Sequence, residues 1–397
     1  MTATAYNPRR IASPIILQQT MQLTDLETPA LVLDRNILDR NLARMREHIT
    51  QLKTTLRPHV KTAKSIDVVR RALEDREGGI TVSTLKEAEY FVSNGITDIL
   101  YAVGIAPNKL EHAAALKRKG ADLTLLLDSV EAADMVAAKG AELGVRFPAL
   151  IEIDSDGHRS GIKPGDTALI EIGKRLHEQV GSELRGVMTH AGDSYNCGSI
   201  DALRKMAERE RNAVVQCAKM LHEAGLPCPV VSVGSTPTAT YAERMDGVTE
   251  VRAGVYMFFD LFMAGLDVCR IEDIALSVLT SVIGHQADRN WIITDAGWMA
   301  LSRDRGTAKQ PVDQGYGVVC DLAGRPIDDL IVAETNQEHG IVADRTGGPV
   351  DLERFPVGTL LRILPNHACA TAAQHAHYNV IAHEPVVEAV WPRFNGW

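Results

Sequence analysis

Short apolar runs and amphipathic runs alternate through the first two thirds of this chain, and that alternation restricts the fold more than any other feature. Strand-like runs occupy residues 54–60, 79–83, 98–102, 122–127, 149–153, 185–190, 229–233 and 249–253. Helical runs at 65–73, 85–93, 108–118, 130–143, 167–180 and 201–224 lie between most of them. A helical crossover returns the chain to the same edge of the sheet, so such units build parallel pairs. Eight of them fit a closed (β/α)8 barrel. Ahead of the series stand an apolar run at 28–34 and an amphipathic helix at 35–52. In that helix Ile37, Leu38, Leu42, Met45 and Ile49 recur at three- and four-residue spacing. The texture changes near residue 265. Short strand-like runs at 275–284, 291–295, 317–321, 330–333 and 359–363 are separated by turn-rich stretches such as Asp304-Arg305-Gly306 and Gly347-Gly348-Pro349. The reading is α/β overall: a 1–27 leader, a 28–34 strand that joins the second domain, a barrel over 35–264 and a mostly antiparallel β domain over 265–397.

Composition narrows the class of function. The 397 residues are 45% hydrophobic and 23% charged, as in an ordinary globular protein with room for two domains. A net charge of −9 argues against binding nucleic acid or an anionic membrane surface. No run approaches the roughly 18 apolar residues of a membrane span. Arg9 and Arg10 precede an apolar stretch at 11–17, but Pro14 breaks it and no small-residue cleavage site follows. The six cysteines are scattered without a CxxC pair, the pattern of reduced thiols in a cytoplasmic protein.

Polar residues gather where the barrel strands should end, which is where barrels place their chemistry. In Arg57-Pro58-His59-Val60-Lys61, alternation puts Arg57, His59 and Lys61 on one face. A lysine there has the chemistry to form a Schiff base once its pKa is lowered, though the same residues read equally as a solvated basic loop. Arg159 stands in a Gly-flanked turn, Asp156-Gly157-His158-Arg159-Ser160-Gly161. His190 ends a strand, a place where histidine more often serves a structural hydrogen bond, and Tyr195 follows it. Gly234-Ser235-Thr236 and Gly254-Val255-Tyr256 follow the last two strands, where barrels often hold phosphate. Neither GxGxxG nor GxxxxGK[ST] is present, so nucleotide chemistry lacks its fingerprints. Finally, His367 and Cys369 are two apart and share a face in an extended segment. Imidazole and thiolate suit zinc or a neighbouring transition metal; an ordinary loop with a buried cysteine is the competing reading.

These stretches together resemble the fold-type III pyridoxal-phosphate enzymes, whose archetype is alanine racemase. The closer resemblance is to the branch of eukaryotic-type D-serine dehydratases, D-threonine aldolases and D-threo-3-hydroxyaspartate dehydratases. It runs through Gly79–Glu89, Asp156–Gly161, Val231–Thr238, Asp295–Ala300, Gln337–Gly340 and the His367/Cys369 pair. The resemblance implies that Lys61 holds pyridoxal phosphate as a Schiff base and acts as base on Cα. It further implies that His190 stacks on the ring, Arg159 lies near the phenolic oxygen, and Gly234, Ser235, Thr236, Gly254 and Tyr256 bind phosphate. His367 and Cys369 would bind a divalent metal: zinc, or manganese, cobalt or nickel. Tyr195 would lie near the cofactor, and Gln337 and His339 near a β-hydroxy amino acid substrate. The implied reaction is elimination of water, from D-threo-3-hydroxyaspartate to oxaloacetate and ammonia or from D-serine to pyruvate. The alternatives are a metal-dependent D-threonine-type aldolase, a racemase using Tyr316 as its second acid, and a non-catalytic cofactor carrier. A head-to-tail homodimer is implied as well. Arg303 and Arg305 are candidates for a second substrate carboxylate.

Overall fold

The computed structural model describes residues 15–74, 79–382 and 384–397. The first fourteen residues of the leader, including the Arg9/Arg10 pair, lie outside them. Eight parallel strands follow one another around a sheet: Thr55–Leu56, Glu250–Val251, Val230–Val233, Ser182–Thr189, Phe147–Ile153, Asp122–Leu127, Asp98–Gly104 and Ile80–Val82. The ends meet. His59 bridges Thr81 in parallel, and Val60 N–H donates to the Thr81 carbonyl at 2.9 Å. The barrel is therefore closed. The 54–60 run is regular strand only at Thr55–Leu56, because Pro58 has no amide for a ladder. It stays extended all the same, with Arg57 and His59 donating to the carbonyls of Val251 and Ala253.

Alternation sorts the barrel side chains. Leu100, Leu126, Leu150 and Met188 form a small apolar cluster separate from the main core. Their outward neighbours Ile99, Tyr101, Leu125, Leu127, Ala149 and Ile151 pack into that larger core with the helices. Beside the small cluster runs a polar column. Arg57 pairs with Glu250 at 2.7 Å and Asp98 at 2.8 Å, Glu250 accepts from the Ser232 hydroxyl at 2.7 Å, and Arg252 Nε donates to Ser232 Oγ at 2.8 Å. Burial without a partner would be costly for Glu250 and Arg252, and each is paired along the column. Several helix starts are capped by a side-chain oxygen. Asp34 accepts from the amides of Asn36 and Ile37 ahead of Arg35–Gln51, and Thr84, Ser129 and Ser199 cap three later helices.

Six antiparallel strands of the second domain close on themselves: Leu276–Gln286, Trp291–Thr294, Gly340–Asp344, Pro326–Thr335, Gly317–Cys320 and Leu360–Pro365. From Leu276–Gln286 the sheet continues outward through Ala30–Asp34, His377–Ala382, Glu384–Pro392 and Ile15–Gln22. The fold is thus the (β/α)8 barrel with a mostly antiparallel β domain, built partly from the chain's first strands. Four strands among the described residues had not been marked in the sequence: Ile15–Gln22, Gly340–Asp344, His377–Ala382 and Glu384–Pro392. Among the described residues no helix is long and apolar enough to cross a membrane.

Candidate active site

A cavity of about 420 Å³ opens at the carboxyl ends of the barrel strands, and the β domain supplies its other wall. Lys61, Arg159, His190, Tyr195, Gly234, Ser235, Thr236, Gly254, His367 and Cys369 all line it. So do several residues to which the sequence had given no site role: His59, already placed on the face of Lys61, with Thr62, Arg252, Asp260 and Asp304. The barrel contributes its part through strand ends. Inward-facing positions leave His59 and Lys61 two residues apart on one edge and Arg252 and Gly254 on the next.

Two glycines let these edges approach. Gly234 has φ +141°, and a Cβ there would sit 2.0 Å from the Arg252 carbonyl oxygen. A Cβ on Gly254 would come within 2.7 Å of the His59 carbonyl oxygen. The Gly234 loop is pinned from behind by Glu210, a buried carboxylate that accepts from Ala191 N–H at 2.9 Å and Gly234 N–H at 3.0 Å. Ser235 then caps the short helix Thr236–Tyr241 through a capping box with Thr238.

Electrostatics on this side push protons off imidazoles. Burial, with the charges of Lys61 and Arg252, holds His59 well below the ordinary histidine range. His190 is lowered to about 3 by burial and by Lys61 and Arg252, against the pull of the Gly234 carbonyl. Its Nδ1 lies 2.9 Å from that carbonyl oxygen, so the neutral ring carries its proton on Nδ1 and donates it there. Arg159 is 60% exposed at the rim, 3.6 Å from Glu152.

The opposite wall has the reverse character. His367 ends the Leu360–Pro365 segment as N-cap of the short helix Ala368–Ala372, whose first turn contains Cys369. The extended geometry expected for this pair is replaced by a helix turn, yet both side chains line the cavity and interact electrostatically. His367 Nδ1 lies 2.6 Å from Asp304 Oδ2, which leaves Nε2 as the free ligand atom. The Thr62 hydroxyl lies 2.9 Å from Cys369 Sγ. Burial raises the Cys369 pKa, but His367, Lys61 and Thr62 together bring it below the usual thiol value. Burial lowers that of His367, and the stronger pull of Asp304 and Cys369 carries it to about 11. An imidazole set between a carboxylate and a thiol whose pKa is lowered is a setting that favours a cation. The donor set therefore fits a divalent metal of borderline softness. Among the described residues no group of three or more His, Cys, Asp or Glu is arranged to hold a metal ion, so further ligands would have to come from elsewhere.

Some expected residues are not in the cavity. Tyr256 is fully buried, and its amide, not its hydroxyl, meets the Gly234–Thr236 loop by donating to Thr236 Oγ1 at 3.3 Å. Gln337 and His339 lie exposed on the turn between Pro326–Thr335 and Gly340–Asp344 and do not line it. Arg303 lies over the Trp298 ring and Arg305 is paired with Asp313 at 2.6 Å; neither lines the cavity, nor does Tyr316. The lining cations are Lys61, Arg159 and Arg252. Alternation was a usable signal for His59 and Arg252, each two residues from a marked position. Asp304 had none, because a turn 63 residues upstream of His367 reaches it only through the tertiary fold.

The chain matches the family models "Alanine racemase, N-terminal domain" over residues 33–261 and "Putative serine dehydratase domain" over residues 275–381. It is 56% identical to the D-threo-3-hydroxyaspartate dehydratase of Delftia sp. (strain HT23), over 94% of this chain and 99% of that protein. The solved structure of that protein superposes with a TM-score of 0.92, covering 95% of this chain and 100% of that one. The D-serine dehydratase of Dictyostelium discoideum is 29% identical over 90% of this chain and 94% of its own length. A solved D-threonine aldolase from Filomicrobium marinum is 25% identical with a TM-score of 0.82, covering 95% of this chain and 97% of its own. The chain belongs to the alanine racemase-like, fold-type III pyridoxal-phosphate family, on the branch that carries the serine dehydratase domain.

Proposed function

We propose that this protein is a pyridoxal-phosphate- and divalent-metal-dependent dehydratase that removes water from a β-hydroxy D-amino acid. D-threo-3-hydroxyaspartate is the proposed preferred substrate, giving oxaloacetate and ammonia; D-serine would give pyruvate. The observation that carries the reading is the convergence of Lys61 with the His367/Cys369 pair on one cavity, joined by the Thr62–Cys369 hydrogen bond at 2.9 Å. When bound, pyridoxal phosphate supplies an electron sink that makes the Cα proton removable, and the metal supplies a Lewis acid for the β-hydroxyl.

The chain's own residues divide the work. Lys61 Nζ anchors the cofactor and takes the proton from Cα on one face only, which selects one configuration. His190, neutral and tethered to Gly234, presents a flat uncharged ring to the cofactor's ring. Ser235, Thr236 and Gly254 offer hydroxyl and backbone groups to phosphate. Arg159 at the rim is placed to meet an oxyanion of cofactor or substrate. His367 Nε2 and Cys369 Sγ hold the metal, with zinc the best match to that pair, and Asp304 keeps His367 in the tautomer that frees Nε2. Loss of the Cα proton and of hydroxide leaves an enamine, which water hydrolyses to keto acid and ammonia.

The protein is further proposed to act as a cytoplasmic homodimer; its six cysteines are all free thiols, as such a compartment maintains. Gln337 and His339, exposed in this chain, are then available to a neighbouring subunit. The test is a product assay on metal-reconstituted enzyme with D-threo-3-hydroxyaspartate, D-serine and D-threonine offered separately. Keto acid plus ammonia supports the dehydratase. Glycine plus aldehyde would make the protein an aldolase, as the Filomicrobium relative is.

A further inference from the structure

Outside the cavity, the segment after the last strand holds a buried arginine that no step above uses. Arg393 is 7% exposed and follows the strand Glu384–Pro392. Its Nη1 donates to the Ala372 carbonyl, to the His375 carbonyl at 2.9 Å and to Asn395 Oδ1 at 2.6 Å. Its Nε donates to the Tyr378 hydroxyl at 3.3 Å. Tyr378 is fully buried, and its O–H donates to the Ala63 carbonyl at 2.7 Å. The two ends of this path matter. Ala372 is the last residue of the helix that carries Cys369. Ala63 lies two residues beyond Lys61.

The last carbonyls of a helix have no partner within it, so a guanidinium that accepts that task fixes where the helix ends. A planar fork of five N–H groups lets one side chain do this and still hold a phenol. The phenol in turn fixes the turn after Lys61. Phe394 N–H adds a second grip by donating to the Lys64 carbonyl at 3.1 Å, with its ring 4.5 Å from that of Tyr90. Between the two ends lies the Thr62–Cys369 bond, the contact that any slippage of helix against turn would alter first.

We infer that Arg393 and Tyr378 are positioning residues that set the register between the metal-ligand helix of the β domain and the lysine turn of the barrel. The inference rests on the dehydratase reading, in which base and metal must act on adjacent carbons of one substrate. A shift of about 1 Å between such groups costs up to about 100-fold in rate.

The experiment uses the holoenzyme loaded with pyridoxal phosphate and zinc, as Y378F, R393K and the double variant. Tyr378→Phe keeps the packed ring and removes only the hydroxyl; Arg393→Lys keeps the charge and loses the fork. The expected result for Y378F is a kcat lowered about 10-fold, with KM and the zinc and cofactor dissociation constants within about twofold of wild type. R393K should behave alike, and the double variant should stay within about twofold of the lower single, since both act on one path. Unchanged kcat in Y378F would overturn the inference. So would losses that track released zinc, released cofactor or unfolded protein, and so would losses that multiply in the double variant. Failure of the reaction reading is separate: the wild type would release glycine instead of keto acid, and the same kcat comparison would then be made on that reaction.

Discussion

The two walls of the cavity differ in both support and charge. The barrel wall stands on strand ends, each hydrogen-bonded to its neighbours and backed by packed interior residues. Burial, aided by the charges of Lys61 and Arg252, keeps protons off His59 and His190. The β-domain wall is a short helix turn and a loop, where burial works against protonation of His367 but Asp304 and Cys369 outweigh it and raise its pKa. One wall suits phosphate and carboxylates; the other suits a metal cation. Under the proposed function, cofactor chemistry and metal chemistry fall to different domains and need a connection, for which Thr62, Tyr378 and Arg393 are proposed.

That division can be broken by mutation. The largest effect is expected for K61A: activity should fall by about 10³-fold or more, and reduction with borohydride should no longer fix cofactor to protein. C369A should be nearly as damaging to turnover while leaving the cofactor's visible band intact; a band lost along with the metal would mean the walls are not separable. D304N should weaken zinc binding by about 10- to 100-fold in a chelator competition, without changing cofactor affinity.

Smaller effects follow from the titrations. His190 is lowered from 6.5 to about 3 in the folded protein, so the unfolded chain binds its proton more tightly. Its contribution to stability is present above the unfolded value and is lost as pH falls from there toward the folded one. H190N apoenzyme should therefore show a shallower fall of Tm between pH 7 and 4 than wild type. The smallest effect is expected away from both walls. Glu208, half-exposed between Arg244 and Arg211, is lowered to about 2 by hydrogen bonds to them. Its stabilisation is present above pH 4.5 and fades below. Solvent screening limits it, so E208Q should cost less than about 1 kcal/mol in a urea titration at pH 7.

The barrel wall was largely legible in the sequence because its logic is local. Strand alternation and strand ends place Lys61, His190 and Gly234 without any knowledge of partners. The β-domain wall was legible only as a pair of suitable donors. Its helix turn at Ala368–Ala372 is too short for periodicity to register, and Asp304 enters through tertiary contact alone. For Tyr256 the sequence did not say which group faces the Gly234–Thr236 loop: its amide does, while its ring serves the core. The strands His377–Ala382 and Glu384–Pro392 escaped notice because neither alternates cleanly, being buried to different depths along its length. The coupling path through Arg393 lies in that same stretch.

The most direct test of the division is proton exchange at Cα, followed by NMR in D2O with the chelator-treated, metal-free enzyme and D-threo-3-hydroxyaspartate. If the barrel wall removes the proton and the metal wall releases the hydroxyl, deuterium should enter Cα while no keto acid forms, and adding zinc should restore keto acid. Exchange that stops when the metal is removed, or keto acid that continues without it, would contradict the account.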